Sequence, residues 1–154
     1  MPLKIGDKIP DLTLPATGGK DVRLAGFRGK PLVVYFYPKD NTPGCTQEGI
    51  DFRDLHKEFR KAGAELLGVS RDSIRSHENF AAKYKITFPL LSDGEEAACK
   101  AFSAIVEKSL YGRKYMGVDR STFLFGADGK LKQQWRAVKV KGHAAEVLEA
   151  VKSL

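Results

Sequence analysis

Apolar positions along the chain switch between two periods, and those switches predict its elements. Leu12-Thr13-Leu14 and Asp21-Val22-Arg23-Leu24 alternate in a strand-like way about Gly18-Gly19, which predicts an N-terminal hairpin. Gly26 to Lys30 reads as a loop. Pro31 to Tyr37 is a nearly continuous apolar run, as expected of a strand buried on both faces. From Pro43 to Ala62 the period becomes helical: Phe52, Leu55, Phe59 and Ala62 share one face, and Gln47, Asp51, Arg53, Asp54, Lys57, Glu58 and Lys61 the other. Thr42 is placed to cap this helix, Pro43 suits a first helical position, and Gly63 can end it. Continued toward its start, the apolar face runs through Glu48 to Cys45. The thiol is therefore expected to point inward at the mouth of the helix.

Ala64 to Ser70 reads as a second buried strand, and Ser73 to Tyr84 as a second helix with Ile74, Phe80, Ala81 and Tyr84 apolar. Phe88 to Leu91 is a short strand broken by Pro89, and Glu95 to Phe102 a third helix. Lys108 to Arg120, with two glycines, two tyrosines and several charges, reads as a long loop. Ser121 to Phe125 and Leu131 to Val138 read as strands joined at Ala127-Asp128-Gly129, and a last helix runs from about His143 to Leu154. Parallel crossovers followed by an antiparallel hairpin predict an α/β domain over residues 1–154. It has a mixed central sheet flanked by helices, in a thioredoxin-like layout with an N-terminal β-hairpin extension. Cys45 falls where the first buried strand gives way to a helix, a common ligand position in open α/β sheets.

Composition narrows the function classes. With 154 residues, 42% apolar and 29% charged, the chain suits one globular core. It lacks both an apolar run of about eighteen residues and a basic-then-apolar leader, so neither a membrane span nor secretion is expected. Two cysteines, Cys45 and Cys99, are too few for a disulfide scaffold and fit a reducing, cytoplasmic setting. The net charge of +7 is spread from Lys4 to Lys152 without a basic run interleaved with aromatics, which argues for a solvated surface and against nucleic acid. His56, His77 and His143 are isolated in sequence, so no metal site is expected, and nothing resembles a phosphate loop or a cofactor box.

That leaves Cys45. A helix N-terminus offers free N–H groups and partial positive charge, both of which favour thiolate. Thr42, three residues earlier, can contact the sulfur or an oxygen bound to it. Pro38 and Pro43 stiffen the loop and shape a pocket by removing backbone donors. The residues alone leave two readings, a redox nucleophile or a small buried hydrophobe.

Pro38-x-x-x-Thr42-x-x-Cys45 matches the peroxidatic signature of the peroxiredoxins. Thr42-Pro43-Gly44-Cys45-Thr46-x-Glu48 resembles the form found in the bacterioferritin comigratory protein, or peroxiredoxin Q, subgroup. Supporting matches are Val33 to Lys39, Leu67 to Asp72, Phe88 to Asp93 and Arg120 to Leu124, so the resemblance covers nearly the whole chain. It implies thiol-dependent reduction of hydrogen peroxide and organic hydroperoxides, without a cofactor. Carried over by position, Cys45 is the peroxidatic nucleophile and Thr42 hydrogen-bonds the peroxide oxygens. Arg120 favours the thiolate and stabilises the stretched O–O bond. Pro38, Pro43, Gly44 and Glu48 belong to the substrate pocket. The resemblance also suggests a monomer or weak homodimer.

One departure from the subgroup bears on the catalytic cycle. Its two usual positions for a resolving cysteine are Ile50 and Ala81 here. Cys99 is the only other thiol and sits among small apolar residues, so the expectation is a one-cysteine cycle. An external thiol (thioredoxin, glutaredoxin or a small molecule) would then reduce the Cys45 sulfenic acid. A two-cysteine cycle through a Cys45–Cys99 disulfide stays open, as does a non-catalytic redox sensor or holdase. A thioredoxin-type disulfide oxidoreductase is disfavoured because Thr46-Gln47-Glu48 supplies no second cysteine.

Overall fold

The computed structural model describes residues 3–154. Its first strands, β1 (Thr13–Ala16) and β2 (Lys20–Arg23), form the expected hairpin, and a 3₁₀ turn at Leu24–Phe27 follows. Next come β3 (Leu32–Phe36), α1 (Pro43–Lys61), β4 (Glu65–Ser70), α2 (Ile74–Tyr84), β5 (Leu90–Ser92) and α3 (Ala97–Ala101). A second hairpin, β6 (Ile105–Leu110) and β7 (Arg113–Val118), precedes β8 (Ser121–Phe125), β9 (Leu131–Trp135) and α4 (His143–Lys152).

Seven strands make one sheet in the order β2-β1-β5-β4-β3-β8-β9. The central strands β3, β4 and β5 run parallel, as helical crossovers require, and the flanking pairs are antiparallel. All five residues of β3 are buried, so its alternating side chains feed a core on each face. Val33, Tyr35 and Tyr37 point toward Cys45, Phe52, Phe59 and the α4 residues Ala144, Val147 and Val151. Leu32, Val34 and Phe36 point the other way, toward Ala98, Cys99 and Phe102. A fully buried Phe contributes roughly 1.5–3 kcal/mol, so Phe52 and Phe59 hold α1 to the sheet more firmly than its helix propensity does. The first turn of α1, which carries Cys45, lies ahead of those anchors.

The structure corrects the reading of residues 108–120 as a loop. β6 and β7 pair antiparallel from Ile105↔Val118 to Leu110↔Arg113, and among the described residues they pair only with each other. Tyr111 (φ 50°) and Gly112 (φ 77°) form a two-residue turn with both residues at positive φ, the geometry that matches strand twist. Leu110, Tyr111, Tyr115 and Met116 are all exposed, so no buried face imposed a period of two on the sequence. Smaller differences are boundaries: β9 stops at Trp135 rather than Val138, β5 starts at Leu90, and α3 spans only Ala97–Ala101.

Candidate active site

Thr42 occupies the N-cap position of α1 with extended backbone (φ −81°, ψ 151°), and Pro43 follows at the first helical position. The Thr42 hydroxyl does not cap the helix. It donates to the Lys39 carbonyl at 2.8 Å, while the Thr42 carbonyl accepts the first intrahelical bond from the Thr46 N–H, also 2.8 Å. With its hydrogen committed to Lys39, the Thr42 oxygen presents acceptor lone pairs at the mouth of the helix. Pro38 is half-buried just past β3, whereas Pro43 is exposed.

Cys45 and Glu48 lie one turn apart on the inward face of α1, at 2% and 1% exposure, as the helical spacing predicts. Arg120 reaches them from the segment between β7 and β8, whose register is held by a bond from the Val138 N–H to the Arg120 carbonyl (2.9 Å). Its guanidinium forks. Nη2 donates to Cys45 Sγ at 3.2 Å and Nη1 to Glu48 Oε1 at 2.7 Å. A rigid planar donor is suited to holding two acceptors at once. Gly44 makes room for it: a Cβ there would stand 3.2 Å from Nη2 and 3.8 Å from Cζ.

The electrostatics of this trio are mutually dependent. Burial pushes the Glu48 carboxyl up to about 7, against the opposing pull of Arg120's charge and hydrogen bond, and Asp51 adds to the rise. Among the described residues, Glu48 Oε2 is buried without a hydrogen-bond partner, as is Thr46 Oγ1. Burial disfavours the charge on Arg120, but Glu48 and Cys45 outweigh it and raise its pKa further. Tyr35, expected only as a core residue, belongs to the floor of the site. It stacks on Phe52 (centroids 4.5 Å apart, planes at 20°), and burial together with Glu48 and Cys45 raises its hydroxyl well above the usual phenol range. Its β3 position two residues before Tyr37 gave only a burial signal.

One sequence expectation changes. His77 and His143 are not isolated. His77 Nδ1 lies 2.7 Å from Asp40 Oδ2, and His143 Nε2 lies 2.7 Å from the Thr122 hydroxyl. Asp40, Asp72 and His77 bring ligand-type atoms within 4.8 Å of one another, but donors from Tyr37, Ser70 and Ser76 occupy the carboxylate oxygens, making a hydrogen-bonded network. Cys99 faces the other side of the sheet from Cys45. It is fully buried, its N–H donates to Asp93 Oδ2 at 2.8 Å, and burial followed by Asp93 pushes its thiol pKa far up. A disulfide needs Cα atoms within about 7 Å, and here the central sheet stands between the two thiols.

The profile of the AhpC/TSA family matches residues 5–134. The chain is 56% identical to peroxiredoxin Bcp of Xanthomonas campestris over 143 residues, 93% of this chain and 89% of that protein. It is 46% identical to peroxiredoxin Bcp of Bacillus subtilis over 154 residues, covering 100% and 98%. Among solved structures, a peroxiredoxin Q mutant from Xylella fastidiosa superposes with a TM-score of 0.93 at 44% identity, over 98% of this chain and 96% of that one. The bacterioferritin comigratory protein of Xanthomonas campestris, in work on its alkyl peroxide reduction activity, gives 0.89 at 55% identity over 92% and 90%. The fold is thioredoxin-like, as these neighbours and the mixed sheet agree.

Proposed function

Because the chain belongs to the AhpC/TSA family and is a thiol-dependent peroxidase, we propose that Cys45 is its nucleophile and works through a sulfenic acid. The observation that carries this reading is the Arg120 Nη2–Cys45 Sγ contact of 3.2 Å, a fixed cation against a buried sulfur. The sulfur lone pair attacks the peroxide oxygen that bears hydrogen. An S–O bond forms and the O–O bond breaks. The departing hydroxide or alkoxide takes up a proton, so sulfur loses the two electrons that the peroxide gains. Arg120 N–H groups lie where negative charge shifts from sulfur to the leaving oxygen, which is preorganised electrostatic stabilisation. The Thr42 oxygen accepts the hydroperoxide O–H and orients it, Gly44 admits the guanidinium, and Glu48 holds Arg120 from behind. Hydrogen peroxide and organic hydroperoxides both fit, the latter in keeping with the alkyl peroxide activity of the Xanthomonas relative.

The return step falls to an external thiol, since Cys99 lies across the sheet. One thiol attacks the sulfenic sulfur, releasing water and leaving a mixed disulfide. A second frees Cys45 and departs as the disulfide. A reducing cytoplasm supplies such thiols from thioredoxin, glutaredoxin or small molecules, and a monomer or weak dimer leaves the mouth of α1 uncovered for their approach. The direct test is peroxide consumption in dithiothreitol. Wild type should turn over repeatedly and Cys45→Ser should show no consumption above buffer; a Cys45→Ser protein with wild-type turnover would remove Cys45 from its role.

A further inference from the structure

The buried network behind the catalytic loop ties that loop to α2 and to three strands. Asp40, at 4% exposure, is its hub. Oδ1 accepts from the Tyr37 hydroxyl (2.7 Å). Oδ2 accepts from the Ser76 hydroxyl (2.8 Å) and faces His77 Nδ1 (2.7 Å). The Asp40 N–H donates to Asp72 Oδ2 (2.9 Å), which also accepts from the Ser70 hydroxyl (2.6 Å). His77 is fully buried, and its Nε2 meets the Leu91 carbonyl at 2.9 Å. Tyr37 follows β3, Ser70 ends β4 and Leu91 lies within β5, so Asp40, directly and through Asp72 and His77, links all three strands to the loop. Asp40 stands two residues before Thr42 and five before Cys45.

The two half-reactions ask opposite things of that loop. Peroxide is small and needs Cys45, Thr42 and Arg120 held in place. The returning thiol must reach a sulfur that is 2% exposed, so the loop and the first turn of α1 must open to admit it. Phe52 and Phe59 fasten the body of α1, but the loop ahead of it is held through Asp40. Charge-assisted hydrogen bonds in a buried setting are the strong ones, so this hub sets the cost of opening.

We propose that Asp40 and His77 are positioning residues that hold residues 38–44 closed over Cys45, favouring peroxide reduction and slowing the return step by external thiol. The inference rests on the one-cysteine reading. Asp40 and His77 touch no substrate. Asp40→Asn keeps the shape but turns one oxygen into a donor facing His77 and Ser76. Ser76→Ala removes a single bond at the half-buried edge of the network and is the safer variant for folding.

The experiment measures the two half-reactions separately by rapid quench and mass spectrometry: Cys45 oxidation by hydrogen peroxide without thiol, and reduction of preformed sulfenic acid by dithiothreitol. Loss of one charge-assisted bond should raise the open-to-closed ratio roughly tenfold in Asp40→Asn, so that the fold-loss in oxidation and the fold-gain in reduction multiply to about ten, with the same signs and smaller size in Ser76→Ala. Amides of residues 39–46 should exchange faster in both variants while those of residues 52–59 keep their protection. Rates that stay unchanged, or that fall together, overturn the proposal; a purely structural role moves both the same way. Failure of the one-cysteine reading would instead appear in wild type, as a sulfenic acid that dithiothreitol does not reduce or a Cys45–Cys99 disulfide.

Discussion

Arg120 bridges Cys45 and Glu48 on the inward face of α1, with Nη2 3.2 Å from Sγ and Nη1 bonded to Glu48 one turn further along. The same cation therefore contacts the Cys45 sulfur and pairs with the carboxyl buried beside it. Neither residue of α1 can be changed without altering what the guanidinium does for the other.

Replacing Arg120 by Met should slow oxidation of Cys45 by ~100-fold or more, the scale seen when one preorganised donor is lost. The fold should persist. Removing Arg120 takes away the two influences that oppose the rise at Glu48, so Glu48 stays protonated at neutral pH rather than becoming an unpaired buried charge. Stopped-flow oxidation together with circular dichroism separates the two effects, and an unchanged oxidation rate would remove Arg120 from the chemistry.

Gly44→Ala sets activity against stability. Alanine is a better helix former than glycine by about 1 kcal/mol, so in the first turn of α1 it should leave the melting temperature unchanged or raise it. Its Cβ, 3.2 Å from Nη2, must push the guanidinium back by a few tenths of an ångström. Slower peroxide oxidation at equal or higher thermal stability is the expected outcome.

Glu48 gives stability a pH dependence whose sign is fixed by its burial. Its folded value, about 7, lies above the ordinary 4.5, so the native state binds the extra proton between those limits. Stability should therefore fall as pH rises from 4.5 through 7 and level off above it, by an amount on the order of 3 kcal/mol at most. Glu48→Gln cannot ionise and should flatten that slope in urea titrations at pH 5 and pH 8. Asp40, held below the usual carboxylate range by His77 and Tyr37 despite burial, works the other way, losing its contribution only as pH falls through its lowered value.

The mixed central sheet, the inward thiol and the shared face of Cys45 and Glu48 were all legible because each rests on periodicity. A strand buried on both faces and a helix with one apolar stripe leave their marks on a single sequence. What escaped depends on contacts without a period. The β6–β7 hairpin pairs with no strand of the main sheet, exposes its outer half and turns at Tyr111, a residue that rarely takes positive φ, so only Gly112 signalled it. His77 finds Asp40 from 37 positions away, a meeting made by the crossover between β3 and α2. Arg120 was identifiable through family resemblance alone; its fork to Glu48 required the fold.

Mass spectrometry after one equivalent of peroxide, in the presence of a sulfenic-acid trap and without reductant, tests the central claim on wild type and Cys99→Ser. The account predicts a trapped adduct on Cys45 in both proteins, Cys99 unmodified, and equal turnover once dithiothreitol is added. A Cys45–Cys99 disulfide in wild type, or loss of recycling in Cys99→Ser, would contradict it.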